Sequence, residues 1–193
     1  AGPRGELLVV TLNLWHDQRD WPARRAVILE ALRALRPDVV LLQEVLEKEG
    51  LPNQARALAD SLGCAFVFAS VDTPGSPKRY GNAILTPHRV VASGEVKLDP
   101  LDDYRVAAHA RLEVRGRGLD VYVTHLHHTD EGAAIRAACQ GQEIVFHSGA
   151  LSSAWGPADA FFRANVLGTR HVIAGCKAAG VRRLVHVSTP SIY

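Results

Sequence analysis

Residues 39–45 read Val39-Val40-Leu41-Leu42-Gln43-Glu44-Val45, a nearly unbroken apolar run. It lacks the period-two alternation of a strand with one wet face. A strand of this kind is buried on both sides, so the chain is expected to fold as an α/β protein with layers on either face of a sheet. Glu44 stands at the end of the run. A carboxylate leaving an apolar strand is costly unless it is solvated, paired or bound to a cation.

Before this strand, residues 7–14 form another apolar, β-branched run that ends in Asn13-Leu14-Trp15. Between the two, residues 22–35 have helical spacing, with Ile28, Ala31, Leu32 and Leu35 on one face. Pro22 suits a first helical turn, and Pro37-Asp38 ends the helix. After the central strand, residues 53–62 read as a short helix closed by Gly63, and residues 65–70 as a strand. Residues 72–79, with two prolines and a glycine, read as an exposed loop. Strands follow at 82–86, 90–98, 106–114 and 119–126, the last two joined by a turn at Gly116 and Gly118. Arg111, Glu113 and Arg115 alternate with Leu112 and Val114, so one face of that strand meets solvent.

The character changes after His128. Residues 131–138 are a helix candidate and 143–147 a short buried strand. Residues 161–179 are helical, with Phe162, Val166, Thr169, Ile173 and Cys176 on one face and Gly180 as the stop. Residues 184–188 are again a buried strand. Strand, long helix and strand at this spacing make a parallel crossover unit.

Composition sets the outer bounds. The 193 residues are 47% apolar and 22% charged, as in a globular protein that can bury a core without staples. The net charge of +2 gives no strong nucleic-acid signal and none for an acidic membrane. No apolar run reaches the roughly 18 residues of a membrane span. No signal peptide is evident; the compartment is left open, with the cytoplasm favoured over export. Cys64, Cys139 and Cys176 fit neither a disulfide framework nor a zinc site and read as buried free thiols. The chain holds no methionine, which suggests an internal fragment or a processed product.

Three polar residues close strands in the first part: Asn13 in T-L-N-L-W, Glu44 in V-V-L-L-Q-E-V and His125 in V-T-H-L. With Arg36-Pro37-Asp38 and G-N-A-I-L-T at 81–86, this order resembles the endonuclease/exonuclease/phosphatase superfamily of metal-dependent phosphoesterases, over about residues 6–136. The resemblance implies a phosphate-ester substrate and Mg²⁺ held by Glu44. It implies that Asn13 bonds near the metal and the scissile phosphate, and that His125 steadies charge on a phosphate oxygen. Asn82 is implied to be structural, and His127 and His128 are read as loop residues. The family also uses a Gly-Asp-x-Asn element and a terminal Asp-His pair, which orient and deprotonate the attacking water. This sequence has neither a Gly-Asp nor an Asp-His dipeptide.

From about residue 137 the text is similar to another family. E-I-V-F-H-S-G-A at 143–150, R-A-N-V-L-G-T at 163–169 and A-A-G-V-R-R-L-V-H-V-S-T-P-S-I-Y at 178–193 resemble an extended short-chain dehydrogenase/reductase of the epimerase and dehydratase group. The resemblance places His147 and Gly149 along a nicotinamide cofactor, Asn165 near it, and Thr189 or Ser188 at the catalytic hydroxyl. A helix asparagine satisfying local backbone groups is the plainer reading of Asn165. The glycine-rich phosphate turn and the Tyr-x-x-x-Lys pair are both absent, so NAD(P) binding is not expected.

The expected architecture is therefore an incomplete α/β-sandwich of the metal-dependent phosphoesterase type (1–136), followed by a Rossmann-like strand-helix-strand unit (137–193). The join falls near 131–141, in a helix pattern common to both families. Residues 143–147 are expected to take the sandwich position of the missing Gly-Asp strand, with the 161–179 helix covering a face. Three functional expectations stand together: a phosphoesterase by ancestry with impaired activity, a reductase or epimerase fragment, and a non-catalytic chimeric or designed chain.

Overall fold

The computed structural model describes residues 6–97, 106–125, 132–151 and 156–187. The chain divides into two compact units, Ala1–His125 and Leu126–Tyr193.

In the first unit, β1 (Val9–Asn13) pairs in parallel with β2 (Val39–Lys48), joined through helix α1 (Trp21–Leu35). Asp20 caps α1 by accepting a hydrogen bond from the Ala23 N–H, and the left-handed Arg36 (φ 50°) ends it. The next helix, α2 (Gln54–Leu62), is capped by Asn53 and stopped by Gly63 (φ 66°). Strands β3 (Ala65–Ser70) and β4 (Lys78–Thr86) complete an antiparallel extension, and the sheet order is β1-β2-β4-β3. A second sheet has the order β5-β6-β7, from β5 (Arg89–Lys97), β6 (Val106–Val114) and β7 (Arg117–Val123). The β6–β7 turn is Arg115-Gly116, both at positive φ (53° and 76°). That is the two-residue turn whose twist matches antiparallel strands.

The double burial expected of β2 is observed. Val40 and Leu42 face a core with Leu29, Leu32, Leu58 and Ala59 of the two helices. Val39 and Leu41 face the opposite way, onto Val106, Ala108, Ala110 and Leu112 of β6. The layers are thus helices, sheet and second sheet, the mixed α/β architecture anticipated above. One detail differs. Leu35 is half exposed, and the buried stripe of α1 runs through Trp21, Leu29 and Leu32.

The second unit has its own core. Here α3 (Ala133–Cys139) is followed by β8 (Ile144–His147), α4 (Ala158–Phe161), a π-helical segment (Phe162–Leu167), α5 (Gly168–Ala179) and β9 (Arg183–His186). Ile135, Cys139, Val172 and Cys176 are buried together, with Val145 and Leu184 packed against them. Strand β8 pairs in parallel with β9 in a two-stranded sheet. This corrects the expectation that residues 143–147 would extend the first sheet: the intervening helix is long enough to return β9 alongside β8, and that local parallel pairing takes the strand. The helix face is corrected too. Phe162, Val166 and Ile173 are exposed and Ala164 and Val172 are buried, whereas Cys176 is buried as expected. The π-helical turn inserts extra chain and rotates everything beyond it, so a uniform 3.6-residue period misassigns the face.

Candidate active site

The polar centre of the first unit is built on an irregularity in β2. Leu42 and Val45 are both fully buried and belong to one core cluster, although they are three positions apart. Strict alternation would put them on opposite faces. A β-bulge resolves the conflict: the register against β4 shifts between Leu42 and Val45, and Glu44 takes a left-handed backbone, φ 55°. The bulge re-aims one side chain without disturbing its apolar neighbours. A non-glycine residue at positive φ is strained, and such strain gathers at functional sites.

Four side chains meet the Glu44 carboxylate. Asn13, at the end of β1, donates from Nδ2 to Glu44 Oε1 at 2.9 Å. Its own Oδ1 accepts the Trp15 N–H at 2.8 Å. His125, just beyond β7, has Nδ1 3.7 Å from Oε1. His16 Nε2 lies 3.0 Å from Oε2. Tyr80, from β4, stands edge-on to His16 with ring centroids 5.2 Å apart. Burial, the Glu44 charge and a hydrogen bond to that carboxylate together push the Tyr80 phenol above its ordinary range, so it stays protonated.

The three residues the resemblance singled out in the first part, Asn13, Glu44 and His125, thus lie together. Sequence reasoning missed His16 and Tyr80. His16 follows Trp15 by one residue but carries no periodic signal, because it sits in a turn where Trp15 and His16 are both left-handed (φ 52° and 39°). That turn is held from behind. Arg24 donates to the carbonyls of Leu14, His16 and Gln18. The fully buried Gln54 donates to His16 O at 2.8 Å and accepts the Leu46 N–H at 3.0 Å. Asn82 is buried and donates to Val106 O at 2.8 Å. His127 and His128 lie outside the described residues.

Magnesium-type cations take oxygen ligands and are commonly held by one or two protein carboxylates, with water and phosphate completing the shell. Glu44 fits that demand: its carboxylate is largely buried, with Oε1 held by Asn13 and Oε2 facing His16 at 3.0 Å. Among the described residues no group of three His, Cys, Asp or Glu could hold a metal ion. The protein's share would therefore be one carboxylate, oriented by Asn13.

In the second unit, His147 Nε2 is 3.1 Å from Thr169 Oγ1, and its ring stacks on His186 at 5.1 Å. Gly149 lies beside that ring; a Cβ there would meet His147 Cε1 at 3.3 Å. Asn165 is committed to the backbone: its Oδ1 accepts the Leu151 N–H at 2.7 Å and its Nδ2 donates to Leu151 O at 3.2 Å. Thr189 and Ser188 lie outside the described residues.

Comparison with known proteins adds two likenesses. The model of the Endonuclease/Exonuclease/phosphatase family matches residues 10–172, well past the expected join. An endonuclease/exonuclease/phosphatase family protein from Leptotrichia buccalis superposes with a TM-score of 0.66 at 15% identity, over 88% of this chain and 74% of its own. The human Nocturnin catalytic domain, solved with bound sulfate, gives 0.53 at 25% identity, over 68% of this chain and 54% of its own. Among curated proteins, a 2-alkyl-3-oxoalkanoate reductase of Stenotrophomonas maltophilia is 51% identical over 59 residues, 31% of this chain and 18% of its own length. Its namesake from Shewanella oneidensis is 33% identical over 139 residues, 70% of this chain and 31% of its own length. The chain thus spans less than a third of either reductase.

Proposed function

The chain belongs to the endonuclease/exonuclease/phosphatase family, and on that premise we propose that its first unit is a phosphate-ester hydrolase site centred on Glu44. One observation carries the reading: Glu44 sits on a strained bulge with its largely buried carboxylate ringed by Asn13, His16, Tyr80 and His125. Glu44 is the residue to hold a divalent cation, Mg²⁺ by its oxygen donor. When bound, such a cation polarises the phosphoryl oxygens and offsets the charge that builds on them. Asn13 fixes the carboxylate rotamer through its 2.9 Å bond. His125, half exposed beside the carboxylate, is placed to donate to a phosphate oxygen. Tyr80, kept protonated, remains a hydrogen-bond donor.

Water activation is the weak step. Residues 1–193 hold no Gly-Asp and no Asp-His dipeptide, so this stretch of chain by itself is expected to hydrolyse slowly. The test is Mg²⁺-dependent release of nitrophenol from bis(p-nitrophenyl) phosphate, with Glu44→Gln as control. Turnover that is equal in Glu44→Gln, or indifferent to chelator, overturns the reading.

A second reading concerns residues 137–193. It takes the chain as joined from two sources, phosphoesterase-like over 1–136 and reductase-like beyond; the 51% identity to a reductase over 59 residues motivates it, while the family model runs across the join to residue 172. Without the glycine-rich turn, that segment is not expected to bind NAD(P). Fluorescence titration with NADH tests it, and saturable micromolar binding would show a working cofactor site. The coding sequence across residues 131–141 would show whether the join is natural.

A further inference from the structure

Cys139, the last residue of α3, and Cys176, on α5, are 37 positions apart in sequence, yet their sulfurs are 3.8 Å apart. Both are almost wholly buried, at 3% and 5% exposure, within the core of the second unit. The contact depends on a glycine. A Cβ at position 175 would stand 3.3 Å from Cys139 Sγ and 3.4 Å from Ile135 Cγ2, so Gly175 lets the two helices close to this distance. A disulfide needs sulfurs about 2.05 Å apart, which leaves a closure of about 1.8 Å for rotamer adjustment on helices already in contact.

We propose that Cys139 and Cys176 are a dithiol pair that a small-molecule disulfide such as oxidised glutathione converts to an intramolecular disulfide. The thiolate of one cysteine attacks the glutathione S–S bond and releases one reduced glutathione. The second thiolate attacks the protein–glutathione disulfide, forms the Cys139–Cys176 bond and releases the other. The protein loses two electrons and two protons, and the oxidant gains both as two thiols. Closure is slow in the packed unit. Burial, with the neighbouring Cys176, pushes the Cys139 thiol up to about 12, and only the thiolate attacks. Reaction therefore passes through local opening of α3 from α5. Once formed, the bond removes the entropy of a long loop from the unfolded chain and favours the folded unit on the order of several hundred-fold.

The experiment uses the full chain carrying Cys64→Ser, which leaves these two thiols alone. It is incubated with oxidised glutathione at pH 8, with and without urea below the unfolding midpoint. Intact mass and thiol titration in denaturant are then read. The expected result is loss of both thiols and two hydrogens with no glutathione retained, faster with urea, and a later urea midpoint for the oxidised form. Adding Cys139→Ser should instead trap a stable glutathione adduct on Cys176. Gly175→Ala should lower the disulfide fraction at a fixed glutathione ratio about tenfold. Two thiols that stay titratable throughout, or a lasting glutathione adduct with both cysteines present, overturn the proposal.

Discussion

Asn13 Nδ2 donates to Glu44 Oε1 at 2.9 Å, tying the end of β1 to the bulge of β2. The same amide receives the Trp15 N–H through its oxygen, so one side chain orients the carboxylate and pins the following turn. Groups that orient a ligand commonly contribute 10- to 100-fold to metal affinity. Asn13→Ala is expected to weaken Mg²⁺ binding by roughly that factor while the chain stays folded. Asn13→Asp places a second carboxylate beside Glu44 and is expected to tighten binding and to lower stability without the cation, through like-charge repulsion. Titration calorimetry with Mg²⁺ and urea melts with and without it read both outcomes.

Gly81 of β4 lies directly against the β3 backbone at Ala69 and Ser70. A Cβ there would stand 1.8 Å from Ala69 O, a backbone atom that cannot swing aside. Gly81→Ala must therefore separate two paired strands beneath Tyr80 and Asn82. A loss of about 3 kcal/mol is expected, at the upper end of overpacking penalties. A urea midpoint within error of the parent would refute the steric account.

How much was legible follows from what periodicity can carry. The seven-residue run at 39–45 announced a doubly buried strand, and Val39 through Leu42 do alternate between two cores. The bulge left no such trace, because Gln43-Glu44 could as well have been the polar end of the strand. The family pattern singles out Glu44, Asn13 and His125, whereas His16 and Tyr80 come from a left-handed turn and a separate strand. Their nearness to Glu44 is a tertiary fact. In the second unit the two strands lie where the sequence suggests, but they are not buried, with Ile144 and Phe146 exposed, and β8 pairs with β9. Strand pairing depends on which partner the connection can deliver, and an apolar tetrad such as Ile144-Val145-Phe146-His147 fits more than one.

The second unit should weaken in mild acid. Burial pushes the His147 imidazole below its ordinary 6.5, and the neighbouring His186 charge pushes it the same way. Between the lowered and the ordinary value the unfolded chain binds a proton that the folded chain refuses. The His147 contribution is thus fully present above about pH 6.5 and is lost as pH falls through the folded value. His147→Gln keeps a group able to bond Thr169 but cannot titrate. It is expected to flatten the pH dependence of stability between pH 7.5 and 5, measured by urea melts followed in the second unit. An unchanged slope would mean that another group governs the acid limb.

The turn that carries Trp15 and His16 is strained at both residues and is held by Gln54 and Arg24. Gln54 is fully buried and bridges two backbones, donating to His16 O and accepting from Leu46 N–H. Gln54→Leu fills nearly the same space but leaves that carbonyl and that N–H unpaired, at about 1–3 kcal/mol for each group still buried. The turn has a cheaper escape, since His16 O can move toward solvent and take the ring away from Glu44. The expected signature is therefore a stability loss smaller than the two penalties together, with a disproportionate fall in Mg²⁺-dependent hydrolysis. Arg24→Met should behave alike, because its guanidinium holds three carbonyls of the same turn. If both variants lose stability in full and keep the parent rate per folded molecule, the turn is scaffold only and His16 has no part in the site.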